Sequence, residues 1–518
     1  MNSRPAHITV NPWLIALTVM LATFMEVLDT SIANVSLQHI AGSLSVSTDE
    51  STWIMTTYLI ANAIVIPSTA WFGQRFGRKR FLITCVIIFT VGSLFSGLAT
   101  SLPMLLAMQV VMGAGGGALQ PISQAVLFES FPKEKQGVAG AVYGVGIIIA
   151  PIIGPVLGGW ITDNYSWRWI FLINIPVGVA AVMLMLRFIH DPPWIRAARP
   201  PRLDLIGFGC MSLWLACQEV LLDRGQEDDW FGSRFIVTMT GLAIIGLLVF
   251  LARELTVKQP FVDLRVLKNY NYALGVALMF FSGVVLYGVT VIIPLFLQTL
   301  MGYTALLSGY SMIPRGVGAM ISIALAGRLV NVVPGRLLVA AGFFVYGAAS
   351  FALSRMSLDI SPAILVWPVF FTGIGIGLIF VPLTTMTLGV LPPETLGNAT
   401  GIFNLMRNVG GSVGIALVTT VIARQAQFHQ NTLVAHLTPY NADYQAHLQS
   451  VGSALASQSG LVAGDQQAVG LTYRTVLGQA NLLAYMDSFR AFAVVAFGCL
   501  LAAFLFQKVQ AARAMAVH

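Results

Sequence analysis

The chain has 518 residues, of which 57% are hydrophobic and only 9% are charged. Soluble domains usually carry about a quarter charged residues, so this composition excludes a soluble globular protein. The net charge of +7 does not indicate nucleic-acid binding, because the basic residues are scattered along the chain rather than gathered on one face. The apolar stretches that recur over the whole length instead predict a polytopic membrane protein.

Fourteen apolar stretches are long enough to span a bilayer, and each is predicted to be an α-helix because a helix satisfies its own backbone hydrogen bonds in lipid. The predicted spans are 12–36, 51–72, 81–99, 103–130, 137–163, 168–189, 203–222, 235–253, 271–299, 306–330, 336–355, 362–390, 398–424 and 488–510. If the N-terminus is cytoplasmic, nineteen of the 28 Lys and Arg residues lie on the inner side and seven on the outer side. This asymmetry predicts that both termini are cytoplasmic.

The first span carries two acids, Glu26 and Asp29, within the sequence FMEVLDTSIANV (24–35). Residues three apart share one face of a helix. Two close carboxylates repel each other, and burial disfavours the charged form, so either acid could bind and release a proton near neutral pH. We therefore predict a proton-coupling role for both. The alternatives are that Asp29 pairs with a neighbouring helix and that Glu26 attracts cationic substrates.

Two arginines, Arg315 and Arg407, lie within the tenth and thirteenth predicted spans. A charge at the bilayer centre costs roughly 2.5–3.5 kcal/mol, so these side chains should face a wet cavity or an acid. Arg407 is predicted to be the counter-charge that responds when an acid binds a proton, or else a tie to a helix-end carbonyl. Arg315 follows a proline and is predicted either to line the cavity or to have a local structural role. Two further acids are expected elsewhere, Glu219 at the membrane interface and Glu129 in solvent.

Other polar residues inside the spans are predicted to line a substrate cavity. In the first half of the chain they are Asn34, Tyr58, Asn62, Gln109, Gln120 and Gln124, and in the second half they are Tyr287, Gln298 and Asn404, with Arg315.

An internal repeat predicts how the spans are arranged. MGAGGGALQP (112–121) matches TGIGIGLIFVP (372–382), and FPKEKQGVAG (131–140) matches LPPETLGNAT (391–400), with seven identical residues at a constant offset of 260. The offset places the fourth span on the twelfth in the same orientation. The chain is therefore predicted to hold two parallel halves with a substrate site between them near the membrane midplane.

This repeat divides the chain into three predicted units. They are an N-terminal six-helix bundle (1–190), an inserted helix pair (191–265) and a C-terminal six-helix bundle (266–518). The polar segment 425–487 has no apolar run long enough to span and is predicted to be a long outer loop.

Several motifs resemble those of one transporter family. GIIIAPIIGPVLGGWITD (146–163) is similar to the fifth-helix antiporter motif of the major facilitator superfamily. LDTSIANVSL (28–37), PRLDLIGFG (201–209) and RNVGGSVGIAL (407–417) are similar to motifs of its fourteen-helix drug:proton antiporter branch, the EmrB/QacA type, with the EmrB group the most similar.

The resemblance implies an all-α membrane protein with two parallel six-helix bundles plus two inserted helices. It implies proton-coupled efflux of amphipathic compounds, including antibiotics, from the inner membrane of a bacterium. The long outer segment resembles that of pumps that work with a periplasmic adaptor and an outer-membrane channel. The protein is then not an enzyme, and it needs neither a cofactor nor a metal ion.

Two alternatives remain at this stage. The chain could export one endogenous metabolite or lipid on the same fold, or it could be a membrane scaffold that transports nothing. The acids within the spans count against a scaffold. No nucleophile–base pair or metal cluster is visible, which counts against an enzyme.

Two motifs are predicted to act mechanically rather than by binding ligand. In the fifth span, a bent and closely packed helix is predicted from Gly146, Pro151, Gly154, Pro155, Gly158 and Gly159. In AWFGQRFGRKR (70–80), the conformational residues are Arg75, Gly77 and Arg78. The superfamily often carries an acid where this chain has Gln74, and an arginine where this chain has Gln109. The roles that the acid and the arginine have in the family therefore do not carry over to this chain.

Overall fold

A computed structural model describes residues 11–132, 135–191, 204–257, 260–330, 332–358, 362–392, 395–459 and 461–507. Within these ranges the secondary structure is entirely helical. Fourteen helical segments are long and apolar enough to cross a membrane. The predicted all-α membrane fold with fourteen spans is therefore confirmed.

The α-helices are numbered in chain order. They are α1 (Pro12–Leu44), α2 (Thr48–Phe76), α3 (Arg78–Gly97), α4 (Leu102–Gly116), α5 (Leu119–Ser130), α6 (Gln136–Asn164), α7 (Trp169–Leu172), α8 (Asn174–Phe188), α9 (Leu205–Arg224), α10 (Arg234–Thr256), α11 (Tyr270–Thr299), α12 (Ala305–Ser311), α13 (Ile313–Leu329), α14 (Gly335–Leu353), α15 (Pro362–Leu388), α16 (Leu396–Val434), α17 (Ala442–Ser459) and α18 (Leu461–Ala503). Two short 3₁₀ helices cover Trp230–Gly232 and Leu264–Lys268.

Local sequence signals explain where the first helices begin. Pro12 occupies the first turn of α1, where its missing N–H costs nothing, and the Asn11 side chain accepts a hydrogen bond from the Trp13 N–H at 3.0 Å. Ser47 and Glu50 form a reciprocal capping box at the start of α2. These caps fix the ends of the two helices that carry Glu26 and Asn62.

The repeated glycines allow helices to approach closely in both halves. A Cβ on Gly113 would clash with the carbonyl oxygen of Tyr58 in α2, and a Cβ on Gly373 would clash with that of Arg315 in α13. Lipid is as apolar as the helix surfaces, so close packing of this kind drives helix association in a membrane. Equivalent glycines of the repeat thus make equivalent backbone contacts.

Each half of the chain has its own core. One cluster of buried hydrophobic side chains lies within 16–189, and a larger one is formed mainly by residues of 272–506. Met211 and Leu215 of α9 and Phe250 of α10 belong to the larger cluster. The inserted pair therefore packs with the core of the second half.

The two halves meet along several helix pairs. α6 packs against α12, α13 and α15, and α16 packs against α2 and α5. The inserted helix α9 contacts its partner α10 and also reaches α2 of the first half and α16 of the second. The contacts of α16 with α2 and α5 bring polar side chains of both halves together.

The segment 425–487, predicted to be a long outer loop, is helical over most of its described length. α16 continues to Val434, α17 covers Ala442–Ser459, and α18 already begins at Leu461 and packs against α17. The segment is rich in residues with good helix propensity, such as Ala, Gln and Leu, so it is helical although it is too polar to span. The polar stretch therefore forms helical extensions of the last two spans.

Candidate functional site

A small pocket lies where the two halves meet, with about 160 Å³ of space between its lining atoms. The lining residues are Glu26, Asn62, Ile66, Gly116, Gly117, Gln120 and Pro121 from the first half and Asn404, Arg407 and Asn408 from the second. A pocket shared by the two halves is the location that the internal repeat predicts.

Glu26 is held in this pocket by neutral hydrogen-bond donors. Its Oε2 accepts from Gln120 Nε2 at 2.7 Å, and its Oε1 accepts from Asn62 Nδ2 at 3.3 Å and from the Tyr58 hydroxyl at 3.4 Å. Only 4% of the Glu26 side chain is exposed. The arrangement can stabilise a buried carboxylate, but it brings no cation into direct contact with it.

Gln120 links Glu26 to an arginine of the other half. The Arg407 guanidinium donates through Nη2 to Gln120 Oε1 and, at 3.4 Å, to Asn408 Oδ1. The Gln120 side chain thus donates to Glu26 and accepts from Arg407. The Nε of Arg407 is buried and has no hydrogen-bond partner. Glu26 and Arg407 are thus linked through the Gln120 amide, and the Nε donor of the guanidinium is free.

A second polar hydrogen bond joins the two halves, one helical turn from the bond between Gln120 and Arg407. Asn404 Nδ2 donates to Gln124 Oε1 at 2.7 Å, and both side chains are buried. Gln120 and Gln124 lie four apart on α5, as neighbours on one helix face must. Two consecutive turns of α5 therefore bind α16.

Asp29 lies one turn from Glu26 but belongs to a different environment. Its Oδ1 accepts from Asn174 Nδ2 at 2.5 Å, and Asn174 also donates to Ser93 Oγ at 3.0 Å. These partners lie on α8 and α3, inside the first half, and Asp29 does not line the pocket. This geometry matches the alternative in which Asp29 pairs with a neighbouring helix, while its role in proton coupling stays a prediction.

The comparisons with known proteins agree with this architecture. Residues 19–415 match the Major Facilitator Superfamily. The chain belongs to the major facilitator superfamily. It is 34% identical over 481 residues to the multidrug export protein EmrB of Escherichia coli K12, covering 92% of each chain, and 33% identical over 480 residues to the fatty acid resistance protein FarB of Neisseria gonorrhoeae, again covering 92% of each.

Solved structures show the same fold at low sequence identity. The proton:xylose symporter XylE bound to 6-bromo-6-deoxy-D-glucose aligns with a TM-score of 0.60 at 14% identity, covering 95% of this chain and 94% of that one. The human organic anion transporter MFSD10 aligns with a TM-score of 0.57 at 11% identity, covering 94% of this chain and 99% of that one. The protein is thus a multi-pass transporter of the inner membrane, as the motifs predict.

Four residues predicted to bind substrate lie away from the pocket. Gln109 is buried in α4, and its Nε2 has no hydrogen-bond partner. Arg315 is buried in α13 and donates to the Leu286 carbonyl at 3.3 Å, which matches the local structural role. Tyr287 is 38% exposed on α11, and Gln298 is exposed near the end of the same helix.

The other residues predicted to bind substrate fall into two groups. The structure brings together Tyr58, Asn62, Gln120, Gln124 and Asn404 around the acid and the arginine. Residue 34 lies in α1, but the side chain of Asn34 is outside the described part of the structure. Of the predicted substrate residues, those that the structure unites come from α2, α5 and α16.

The fifth-helix motif packs against the helix that carries both acids. Its residues that face α1 are Gly146, Gly154 and Gly158. A Cβ on Gly154 would clash with Ser31, whose hydroxyl donates to the Pro151 carbonyl at 3.3 Å. Pro151 and Pro155 both lie inside α6, and Gly159 has open space where a Cβ would be. Ser31 therefore fills part of the space that the motif leaves.

The loop motif between α2 and α3 is organised by two acids far along the chain. Gly77 has a φ of +85° and caps α3, and Asp191 accepts from the Lys79 N–H at 2.8 Å beside it. Arg78 is buried and pairs with Glu129. The expectation that Glu129 is solvated was wrong, because the helix turn that ends α5 places it against this arginine. Arg75 is exposed in the last turn of α2.

Sequence reasoning missed Asn408 as a pocket residue. It lies four residues after Asn404 and directly after Arg407, so it shares a helix face with Asn404. The signal was therefore present in the spacing of polar residues along RNVGGSVGIAL.

Proposed function

We propose that this protein is a multidrug exporter that moves amphipathic compounds out of the cell in exchange for protons, with Glu26 as the coupling acid. The observation that carries the proposal is the bridge from Glu26 through Gln120 to Arg407. It links a protonatable group of one half, through the side-chain amide of Gln120, to a fixed positive charge of the other. The name of the EmrB relative supports the substrate class.

The bridge gives protonation a way to change the contact between the halves. When Glu26 is ionised, the Arg407 charge and three neutral donors favour the bridged arrangement. A proton removes the negative charge and weakens the hold of Gln120 on both groups. A bound proton shifts a conformational equilibrium only if it interacts differently with the two states, and the bridge supplies such a difference.

The pocket size indicates that this conformation is closed around the site. Sites for drug-sized ligands usually enclose about 300–1,000 Å³, whereas the side chains that line this pocket leave essentially no enclosed room for a ligand. A substrate can enter or leave only while α5 and α16 are separated. Proton uptake at Glu26 and the loss of the bridge would open that path for release of the substrate, as exchange requires.

The proton gradient supplies a modest driving force for each cycle. One charge crossing about 100 mV releases roughly 2.3 kcal/mol. Because each 1.4 kcal/mol corresponds to a factor of ten, one proton per uncharged substrate supports about a fifty-fold concentration difference.

A second candidate substrate class is anionic amphiphiles such as fatty acids. Arg407 lines the pocket and its Nε has no hydrogen-bond partner, so the guanidinium has a donor that can bind a carboxylate. FarB is named for fatty acid resistance, which supports this candidate. An exporter dedicated to one endogenous lipid would use the same geometry.

We also propose that the outer helical extension docks a periplasmic adaptor, which would connect the pump to an outer-membrane channel. The extension carries exposed apolar side chains, among them Phe428 (62% exposed) and Tyr440 (97% exposed). Single exposed apolar side chains are common on protein surfaces, so the proposal rests mainly on the resemblance of this segment to that of pumps that work with an adaptor. Photo-crosslinking from Phe428 and Tyr440 to a co-expressed adaptor tests this, and the absence of crosslinks at both would contradict it.

The main proposal is tested by transport in proteoliposomes that hold the full chain. A fluorescent amphipathic cation and a medium-chain fatty acid serve as probes, and an imposed pH gradient is the driving force. Export of either probe with matching proton movement supports the proposal. Gradient-independent equilibration of both probes would contradict proton coupling.

A further inference from the structure

Glu219 of α9 is a buried acid that the pocket does not use. It was expected at the membrane interface, but only 6% of it is exposed. Its carboxylate oxygens lie 2.9 and 3.1 Å from the hydroxyl of Ser412 on α16. The inserted helix therefore brings an acid of its own to the second half of the transporter.

The same helix is bonded to the first half one turn further on. Asp223 accepts a hydrogen bond from Thr56 of α2. Arg224 donates to Thr52 at 3.2 Å and lies over the Trp53 ring, 5.1 Å from its centroid. Because α9 is tied to both halves, one set of bonds must yield when the halves separate at this level.

The hydrogen atoms around Ser412 can be counted. Its hydroxyl has one hydrogen, yet three acceptors lie within reach: both oxygens of Glu219 and the Asn408 carbonyl at 3.3 Å. If Glu219 carries a proton, its O–H donates to Ser412, and Ser412 donates to Asn408. The oxygen positions around Ser412 therefore leave room for one hydrogen more than the Ser412 hydroxyl provides when Glu219 is ionised.

The charges near Glu219 do not compensate an ionised carboxylate. None of the ion pairs in the described ranges includes it. Asp223, one turn away on α9, has the same sign, while Arg407 on α16 is engaged with Gln120 and Asn408. An isolated buried carboxylate is costly, and binding a proton removes that cost.

The other two helices that pack against α9 bring no compensating charge to this level. The charged residues of α2 lie in its first and last turns, and so do those of α10. Thr56 of α2 is level with Asp223, one turn away from Glu219. Because these neighbouring helices bring no cation to the level of Glu219, binding a proton is the way in which this acid is neutralised.

We infer that Glu219 is a second proton-binding site, separate from Glu26, and that its proton keeps the inserted helix α9 bonded to α16. With the proton present, the Glu219–Ser412–Asn408 chain is complete and α9 stays docked. Without it, the carboxylate is favoured only where water reaches it, so α9 loosens from α16. Asn408 also lines the pocket, which connects this site to the one between the halves.

The inference goes beyond the proposed function and does not depend on it. Failure of Glu26 as the coupling acid would appear as proton-driven export that Glu26→Gln retains, whereas failure here would appear in the protonation of Glu219 itself. The two results come from different measurements on different variants.

Infrared spectroscopy of the purified full-length protein in lipid measures the protonation directly. We expect a protonated-carboxyl C=O band at neutral pH that Glu219→Gln removes and Glu26→Gln leaves in place. Ser412→Ala should shift this band, because it removes the hydroxyl that accepts from Glu219, and this variant serves if Glu219→Gln does not fold. A carboxyl band that neither Glu219→Gln nor Ser412→Ala changes would overturn the inference.

Hydrogen–deuterium exchange tests the effect on α9. After correction for the intrinsic pH dependence of exchange, with α3 as the internal reference, raising the pH should increase exchange in α9 of the parent protein. Glu219→Gln keeps the hydrogen bond to Ser412 but cannot titrate, so the increase should be lost. An equal increase in parent and variant would overturn the link between the proton and the docking of α9.

Discussion

Glu26 and Asp29 lie one turn apart on α1, and both are almost fully buried, yet they face different parts of the protein. Glu26 faces the interface between the halves and is linked through Gln120 to Arg407. Asp29 is bonded to Asn174 inside the first half. The difference shows that three-residue spacing puts two side chains on one face of a helix without giving them the same partners, because each contacts whichever helix crosses at its level.

The sharpest test of this contrast compares Glu26→Gln with Asp29→Asn. Glu26→Gln should abolish export against a gradient, because glutamine keeps the shape but cannot bind and release a proton. Asp29→Asn should keep proton-dependent export. Both are measured as probe export in proteoliposomes under an imposed pH gradient.

Loss of uphill export in both variants would show that the two acids act as one pair, as the sequence alone predicts. Loss in Asp29→Asn only would reverse the assignment. A variant with both changes distinguishes additive effects from a shared role.

The two buried arginines offer a second contrast. Arg407 crosses the interface, whereas Arg315 is bonded to a backbone carbonyl within the second half. Hydrogen bonds to charged groups contribute about 1.5–3 kcal/mol, so Arg407→Gln should slow export roughly ten- to a hundredfold. Arg315→Gln is the matched control and should leave the pH dependence of export unchanged. Equal changes in the pH dependence would contradict the bridge.

The partner of Asp29 should matter for stability more than for coupling. Asn174→Leu leaves a buried carboxyl without its donor and should destabilise the folded protein by about 1–3 kcal/mol. Thermal unfolding in detergent measures this loss. Asn62→Leu is the control, because Glu26 keeps Gln120 and Tyr58 as donors there. A larger loss of stability in Asn62→Leu would show that Asp29 is not a structural acid.

The smallest effect is expected at the second bond between the halves. Asn404→Ala removes the bond to Gln124, worth about 0.5–1.5 kcal/mol, and favours separation of α5 from α16. Because substrate binds only after this separation, the apparent affinity for the probe should rise about two- to tenfold. Equilibrium binding in detergent checks this, with Gln124→Ala expected to behave alike. A fall in affinity would show that Asn404 contacts the substrate directly, as its position in the sequence predicts.

The sequence by itself determined the class of the protein, the number of spans and the parallel halves. Long apolar runs must form helices in lipid, and the glycines of the repeat align because equivalent helices pack alike. The sequence also singled out Glu26, Gln120 and Arg407, because polar groups within a membrane are costly unless they have partners.

Only the tertiary structure decided which of those groups meet. Asp29 turns to α8, Gln109 and Arg315 stay inside their own halves, and Glu219, expected at the membrane interface, reaches Ser412 from an inserted helix. The polar segment 425–487 folds largely into helices although it is not apolar enough to span. These outcomes depend on where helices far apart in the chain cross, which local spacing along one helix does not encode.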